Sequence, residues 1–245
     1  MQQAFYKPDS LLSISSDAKT SKGEKLGFLT GILYMSPARI IPAFNNCPMA
    51  EKAGCEKACL YTAGRGAMSN VQKGRINKTI YFYNARQAFM HQLVKDIVAL
   101  RKKAQKLGLI PLVRLNGTQD IRWENIAFEY KGKYYPNIMT LFPDVQFYDY
   151  TKLSNRKDIP NNYDLTFSYS GLKSFEPYVK KAIDNGMRIA VVFKDKNTIP
   201  DNFLGLPTIP GDDSDIRHTE PKAHIVALYA KGKARQDNSG FVVIN

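Results

Sequence analysis

Three cysteines, Cys47, Cys55 and Cys59, are the only thiols in this 245-residue chain, and all fall in one turn-rich stretch, 45–59. Thiolates are soft ligands suited to zinc, copper(I) and iron–sulfur clusters. Three of them on one loop could hold a metal or cluster and leave one coordination position open. The spacing is Cys47-x7-Cys55-x3-Cys59. A closed zinc site normally takes four ligands, often from paired C-x2-C units. Neither feature is present, and His91, His218 and His224 all lie far away in sequence. Three inert, packed thiols are the plainest alternative. A cluster held by Cys47, Cys55 and Cys59, [4Fe–4S] with one iron open, agrees best with the odd count, because a disulfide would leave one thiol over. The leading residues show no signal-peptide pattern, and no apolar run is long enough to span a bilayer. A cytoplasmic location with reduced thiols is therefore expected, with no membrane partner.

Such a loop needs a scaffold. Residues 1–25 are polar and read as a loosely held leading segment. Residues 26–245 read as a single α/β domain carrying the cysteine loop, 45–66. Apolar runs at 26–35, 109–115, 145–150, 165–170, 188–193 and 223–229 read as strands, and 241–244 could close the chain. A long helix is expected over 78–106, from Phe82, Phe89, Leu93, Ile97 and Leu100 at helical spacing, with Gly108 just beyond it. Shorter helices are expected over 135–142 and 174–185. Strands alternating with helices predict a mainly parallel sheet, and the length suits a partial or distorted β-α barrel. Parallel α/β folds bind ligands at the carboxyl ends of their strands. Those ends carry Asn116, Gly117, Thr118, Gln119 and Asp120 after one strand, Tyr148, Asp149, Tyr150 and Lys152 at another, Ser168 and Ser170 at a third, and Lys194 to Lys196 at a fourth. A later loop, 211–217, adds Asp212, Asp213 and Asp215. In a parallel sheet these sets converge.

Charge adds a partner class. Lys and Arg number 35 against 22 Asp and Glu, a net charge of +13. Such a balance favours a polyanion, nucleic acid above all. Arg65, Lys73, Arg75 and Lys78 are interleaved with Tyr61, Tyr81, Phe82 and Tyr83, a composition that can hold phosphates and stack bases. Lys231, Lys233 and Arg235 form a second basic cluster. Asp212, Asp213 and Asp215 with Asp120 could hold Mg²⁺ for a nuclease, against the simpler reading of an exposed acidic turn. No Walker loop, dinucleotide fingerprint or Gly-x-Ser-x-Gly elbow is present, which removes the commonest nucleotide-binding and hydrolase signatures.

Several fragments carry a family resemblance: Asn46-Cys47-Pro48, Gly54-Cys55, Ala58-Cys59-Leu60-Tyr61-Thr62-Ala63-Gly64-Arg65-Gly66, Arg114-Leu115-Asn116-Gly117-Thr118, Trp123-Glu124, Gly211-Asp212 and Asp215-Ile216-Arg217. In these the chain resembles the bacteriophage gene product eighty-eight family, which implies a phage or prophage origin. The cysteine loop after the first strand is also similar to that of radical S-adenosylmethionine enzymes, whose usual spacing is C-x3-C-x2-C. That likeness implies a partial barrel, a [4Fe–4S] cluster, S-adenosylmethionine and an electron donor. It would place Asn116, Gly117 and Thr118 at the methionine amino group, and Tyr148, Asp149, Ser168 and Ser170 at ribose and carboxylate. The expected function is thus an iron–sulfur enzyme acting on DNA, RNA or a nucleotide-derived substrate. The alternatives are a non-catalytic nucleic-acid-binding phage protein with a structural metal at the cysteines, or a Mg²⁺-dependent nuclease.

Overall fold

The computed structural model describes residues 5–14, 18–56, 58, 59, 61 and 64–244. The chain divides into two compact units, each built from separate stretches. The first comprises Met1–Asn46, Ser69–Asp149 and Lys157–Asp164; the second comprises Cys47–Met68, Tyr150–Arg156 and Leu165–Asn245.

In the first unit, β1 (Leu12–Ile14) pairs antiparallel with β2 (Phe28–Leu33). β2 pairs in parallel with β3 (Ile110–Arg114), and β3 in parallel with β6 (Gln146–Thr151), which begins in this unit. The link from β2 to β3 carries α2 (Ser69–Asn84) and α3 (Arg86–Leu107), the crossover that a parallel pair requires. A single helix is expected over 78–106; instead the chain breaks at Ala85, at φ −142° and ψ 54°. Arg86 accounts for the break locally. Its guanidinium Nε donates to the Phe82 carbonyl at 2.9 Å and lies 3.7 Å from the Phe82 ring centre, so it satisfies an acceptor at the end of α2. Beyond the break the expected spacing holds: Phe89, Leu93, Ile97, Leu100 and Ala104 are all fully buried. Gly108 ends α3 in the left-handed conformation. Each such aliphatic or aromatic side chain contributes about 1.5–3 kcal/mol on leaving water.

The leading segment is more structured than its polarity suggests. Leu11 and Leu12 are buried, and β1 adds an edge to the sheet. Ala18–Lys25 forms α1. A hairpin, β4 (Phe128–Tyr130) and β5 (Lys133–Tyr135), and a one-turn α4 (Ile138–Leu141) follow β3. Asn137 caps α4, accepting from the Thr140 amide at 2.9 Å.

In the second unit, β7 (Tyr163–Ser168), which mostly belongs here, pairs in parallel with β8 (Arg188–Phe193) through α5 (Glu176–Asp184). β8 pairs in parallel with β11 (Ile225–Tyr229), and β11 in parallel with β10 (Leu206–Pro210). β9 (Asn202–Phe203) pairs antiparallel with β10. Phe167, Phe175, Val179, Ile189, Val191, Phe193 and Ile225 form its core. Residues 241–244, expected as a strand, make only an isolated bridge, Phe193 to Val243.

The architecture is mixed α/β with a large, mostly parallel sheet, as the alternation of elements predicts. Barrel closure is not seen. β1 and β9 are edge strands, each paired on one side only among the described residues. No described helix is long and apolar enough to cross a membrane.

Candidate functional site

At the carboxyl ends of β2, β3 and β6 in the first unit, five of the expected cofactor contacts come together. Asn116, Tyr148 and Asp149 are 2%, 1% and 0% exposed. Asp149 accepts the Asn116 amide at 2.7 Å, the Leu115 amide at 3.3 Å and the Tyr163 hydroxyl at 2.8 Å, and Arg114 lies 3.9 Å away. The Asn116 side chain accepts from the Trp123 indole at 2.9 Å and from Ile121 N–H at 3.1 Å, and donates to the Ile121 carbonyl at 3.0 Å. Gly117 donates its N–H to the Leu33 carbonyl at 3.0 Å. A Cβ there would sit 2.5 Å from the Tyr34 ring and 2.8 Å from the Leu33 oxygen, so only glycine fits. Thr118 donates its hydroxyl to the Met35 carbonyl at 2.6 Å. Gln119, buried beside them, accepts from Met35 N–H and donates to the Leu33 and Leu115 carbonyls. These bonds tie the ends of three parallel strands to one another. The polar groups are turned into the protein, which is what burial demands of them.

Of the four expected nucleic-acid contacts, Arg65 and Lys73 are exposed. Arg75 is buried over the Tyr34 ring, 4.9 Å from its centre. Lys78 is half-buried and donates to the Leu11 carbonyl at 2.7 Å, while Asp96 accepts the Leu11 amide at 2.5 Å. The pair thus clamps both backbone groups of Leu11 beside β1. Burial pushes the Lys78 ammonium down to about 8, with Arg75 adding to the shift and Asp96 opposing it.

The cysteine loop belongs to the second unit, where turns run through Cys47–Gly54. Cys47, Cys55 and Cys59 are all half-buried thiols. The Cys55 thiol faces the Ala50 carbonyl at 3.7 Å, and the Cys59 sulfur accepts the Tyr61 amide at 3.4 Å. Among the described residues no group of three or more His, Cys, Asp or Glu side chains is placed to hold a metal ion. As placed, the thiols are not a gathered ligand set for a cluster. The acidic loop 211–217 is likewise engaged internally. Asp212 pairs with Lys231 and accepts the Tyr229 amide, and Asp215 accepts the Tyr150 hydroxyl at 3.1 Å. Arg217, fully buried, donates to the Gly211 and Ser214 carbonyls and pairs with Glu220. Burial opposes its charge, but Tyr150, Asp215 and Glu220 together hold the guanidinium above its ordinary value.

The loop is fastened where the strands end. Ser170, just past β7, donates to the Ala53 carbonyl at 2.8 Å; Ser239 donates to the Gly54 carbonyl at 3.3 Å. Ser168 is reached by Lys152, whose ammonium donates to its hydroxyl at 3.1 Å and to its carbonyl at 3.2 Å. The same ammonium lies 4.7 Å from the centre of the Phe241 ring. Ala58, next to Cys59, packs with Ala230, Ala234, Phe241 and Val242. That contact sets the cysteine loop against the segment bearing Lys231, Lys233 and Arg235, all exposed. Lys194 and Lys196 follow β8, the neighbour of β11, and are exposed too. Thiols and cations therefore share the carboxyl-end edge of β7, β8 and β11. The sequence showed both sets, but Ala58 and Ala234, the small residues that join them, carry no chemical signal of their own.

The model of the family described as Gene product 88 matches residues 10–244. No curated protein matches the chain. No solved structure does either.

Two outcomes follow. Replacing Asp149 by Ala removes the acceptor of the Asn116 and Leu115 amides and of the Tyr163 hydroxyl and the carboxylate beside Arg114, and costs about 3–5 kcal/mol in urea unfolding; a loss below about 1 kcal/mol would show that the network is dispensable. For Lys78 the folded value, about 8, lies below the ordinary lysine value of 10.5. Between those two pH values the unfolded chain keeps a proton that the folded chain has shed, so stability rises with pH through that window and is flat below it. Urea unfolding at stepped pH should show this rise, at most about 1.4 kcal/mol per pH unit, and its loss in Lys78→Met. An identical slope in the variant would overturn the assignment.

Proposed function

The chain belongs to the phage gene product 88 family, and from that premise we propose that it binds nucleic acid through the carboxyl-end edge of its second unit. One observation carries this reading: the packing of Ala58 on Ala230 and Ala234, which sets the cysteine loop beside the exposed Lys231, Lys233 and Arg235. Phosphate contacts from Lys and Arg dominate nucleic-acid affinity, and a net charge of +13 favours the encounter. Lys233 presents its charge to solvent, Arg235 is exposed while its Nε donates to the Ala230 carbonyl at 3.3 Å, and Lys231 is shared with Asp212. The cysteine loop gives this edge a fixed wall, held by Ser170 and Ser239.

A second reading keeps the thiols as ligands: all three are half-buried on the one loop that Ser170 fastens just past β7. Cys47, Cys55 and Cys59 would have to draw together to hold a [4Fe–4S] cluster. Such a cluster, with S-adenosylmethionine and an electron donor, would supply redox or radical chemistry. Under this reading the protein is an enzyme acting on the nucleic acid that the same cations bind.

Both readings are tested on one preparation. Titration of a labelled oligonucleotide against salt should give a linear fall of log affinity with log salt concentration. The slope should become shallower by about 0.7–0.9 for each contact removed by Lys233→Ala or Arg235→Ala. No measurable binding at low salt sinks the nucleic-acid reading. Protein purified without oxygen is analysed for iron and sulfide: stoichiometric amounts, lost in Cys55→Ser, establish the cluster, and metal-free protein disposes of it.

A further inference from the structure

The hairpin β4–β5 in the first unit has one anchored face and one open face. Its register pairs Phe128 with Tyr135, Glu129 with Tyr134 and Tyr130 with Lys133. Side chains alternate along a strand, so Phe128, Tyr130, Lys133 and Tyr135 share one face, and Glu129 and Tyr134 the other. The first face is held: Phe128 is buried and stacked with Tyr135 at 5.8 Å, and His91 of α3 meets the Tyr130 ring edge-on at 5.6 Å. Gln87 and His91 also bond the Glu129 carbonyl. On the second face Tyr134 is 70% exposed, the largest exposure of any large apolar or aromatic residue described.

The tip is two residues long, Lys131-Gly132, with φ of 50° and 74°. Positive φ at both positions is the type I′ pattern, for which Asn-Gly or Gly-Gly is the natural choice. A lysine there holds a conformation that its side chain disfavours. Strained positions of this kind concentrate at working sites. Lys131 and Lys133 are both exposed; Lys133 directly precedes Tyr134 in sequence, and the Lys131 ammonium lies 5.6 Å from the centre of the Tyr130 ring.

We propose that this hairpin is a single-stranded nucleic-acid contact, in which Tyr134 stacks on a base while Lys131, at the tip, and Lys133, on the opposite face, hold phosphates of a strand that passes round the tip. An exposed ring beside cations is the combination that binds single strands without reading sequence. Glu129, opposite Tyr134, is the one acidic group on the hairpin and works against the phosphates. The inference rests on the nucleic-acid reading but uses different residues from those of the second unit.

The test is a salt titration of a labelled single-stranded oligonucleotide with the full chain and five variants, each checked by urea unfolding. Tyr134→Ala should weaken binding about tenfold with an unchanged salt slope, and Tyr134→Phe should bind as the parent does, because stacking needs the ring and not the hydroxyl. Lys131→Asn and Lys133→Ala should each make the slope shallower by about 0.7. Lys131→Asn should do so with stability unchanged or raised, which a purely structural lysine would not. Glu129→Gln should tighten binding. If these variants bind like the parent while Lys233→Ala and Arg235→Ala weaken it, the hairpin inference is wrong and the broader reading stands. If the parent binds no oligonucleotide, both fall.

Discussion

The carboxylate of Asp149 is the group on which the first unit depends. It has no exposure, so its charge must be met from within. Two backbone amides, one phenol and one guanidinium meet it. Each donor belongs to a different demand of the fold: the amides fix the exit of β3, Tyr163 brings in the start of β7, and Arg114 closes β3 itself. Asn116, set by that carboxylate, in turn positions Trp123 and Ile121. Gln119 and Thr118 carry the pattern across to β2 through Leu33 and Met35. A parallel sheet leaves carbonyls and amides without partners where its strands stop. Here one stretch of chain, 116–119, supplies them, which is why it is so polar and yet so buried.

The second unit solves a different problem at the same kind of edge. Its cysteine loop bonds itself through short turns, Ala50 N–H to Cys47, Ala53 N–H to Met49, Gly54 N–H to Glu51 and Cys55 N–H to Ala50, but among the described residues these turns do not satisfy the carbonyls of Lys52, Ala53 and Gly54. Serines from the surrounding segments do this instead. Ser170 and Ser239 take the carbonyls of Ala53 and Gly54, and Ser174 reaches that of Lys52 at 3.4 Å. Close packing then needs small side chains: Ala53 enters the main core of the unit, and Ala58 meets Ala230 and Ala234. The loop is therefore held by its backbone, its alanines and Cys55, which packs against both cores of the unit.

The chain's regular elements were legible where periodicity was strong. Phe89, Leu93, Ile97 and Leu100 mark α3 at its true spacing, and the apolar runs mark β2, β3, β6, β7, β8 and β11. What was hidden depends on contacts distant in sequence. β1 is three residues long and reads as part of a polar segment, yet Lys78 and Asp96 grip Leu11 beside it. The break at Ala85 leaves the apolar stripe in phase on both sides, so no periodicity reports it. The polar residues after β3 were visible as a cluster. Whether they face a ligand or one another is decided by burial, and sequence does not encode burial directly. The family itself was readable from fragments such as Asn46-Cys47-Pro48 and Gly211-Asp212.

The same distinction bears on charge. A count of +13 treats every cation alike, but the fold uses many of them up. Arg75 lies over a tyrosine ring, Arg114 serves Asp149, Arg188 binds Thr166 and two carbonyls, and Arg217 is enclosed by the 211–217 loop. Lys152 is spent on Ser168 and an aromatic ring. Those cations are part of the architecture, and removing them would act on folding before it acted on any partner. The lysines left in water are another class. Their long side chains make few fixed contacts, so the fold gains little from them, and their like charges repel. Lys131 goes further, because its backbone occupies a conformation that glycine or asparagine would hold more readily. Its ammonium lies 5.6 Å from the Tyr130 ring centre, a weak contact at an exposed tip, so the fold engages this cation far less than it engages Arg114 or Arg217.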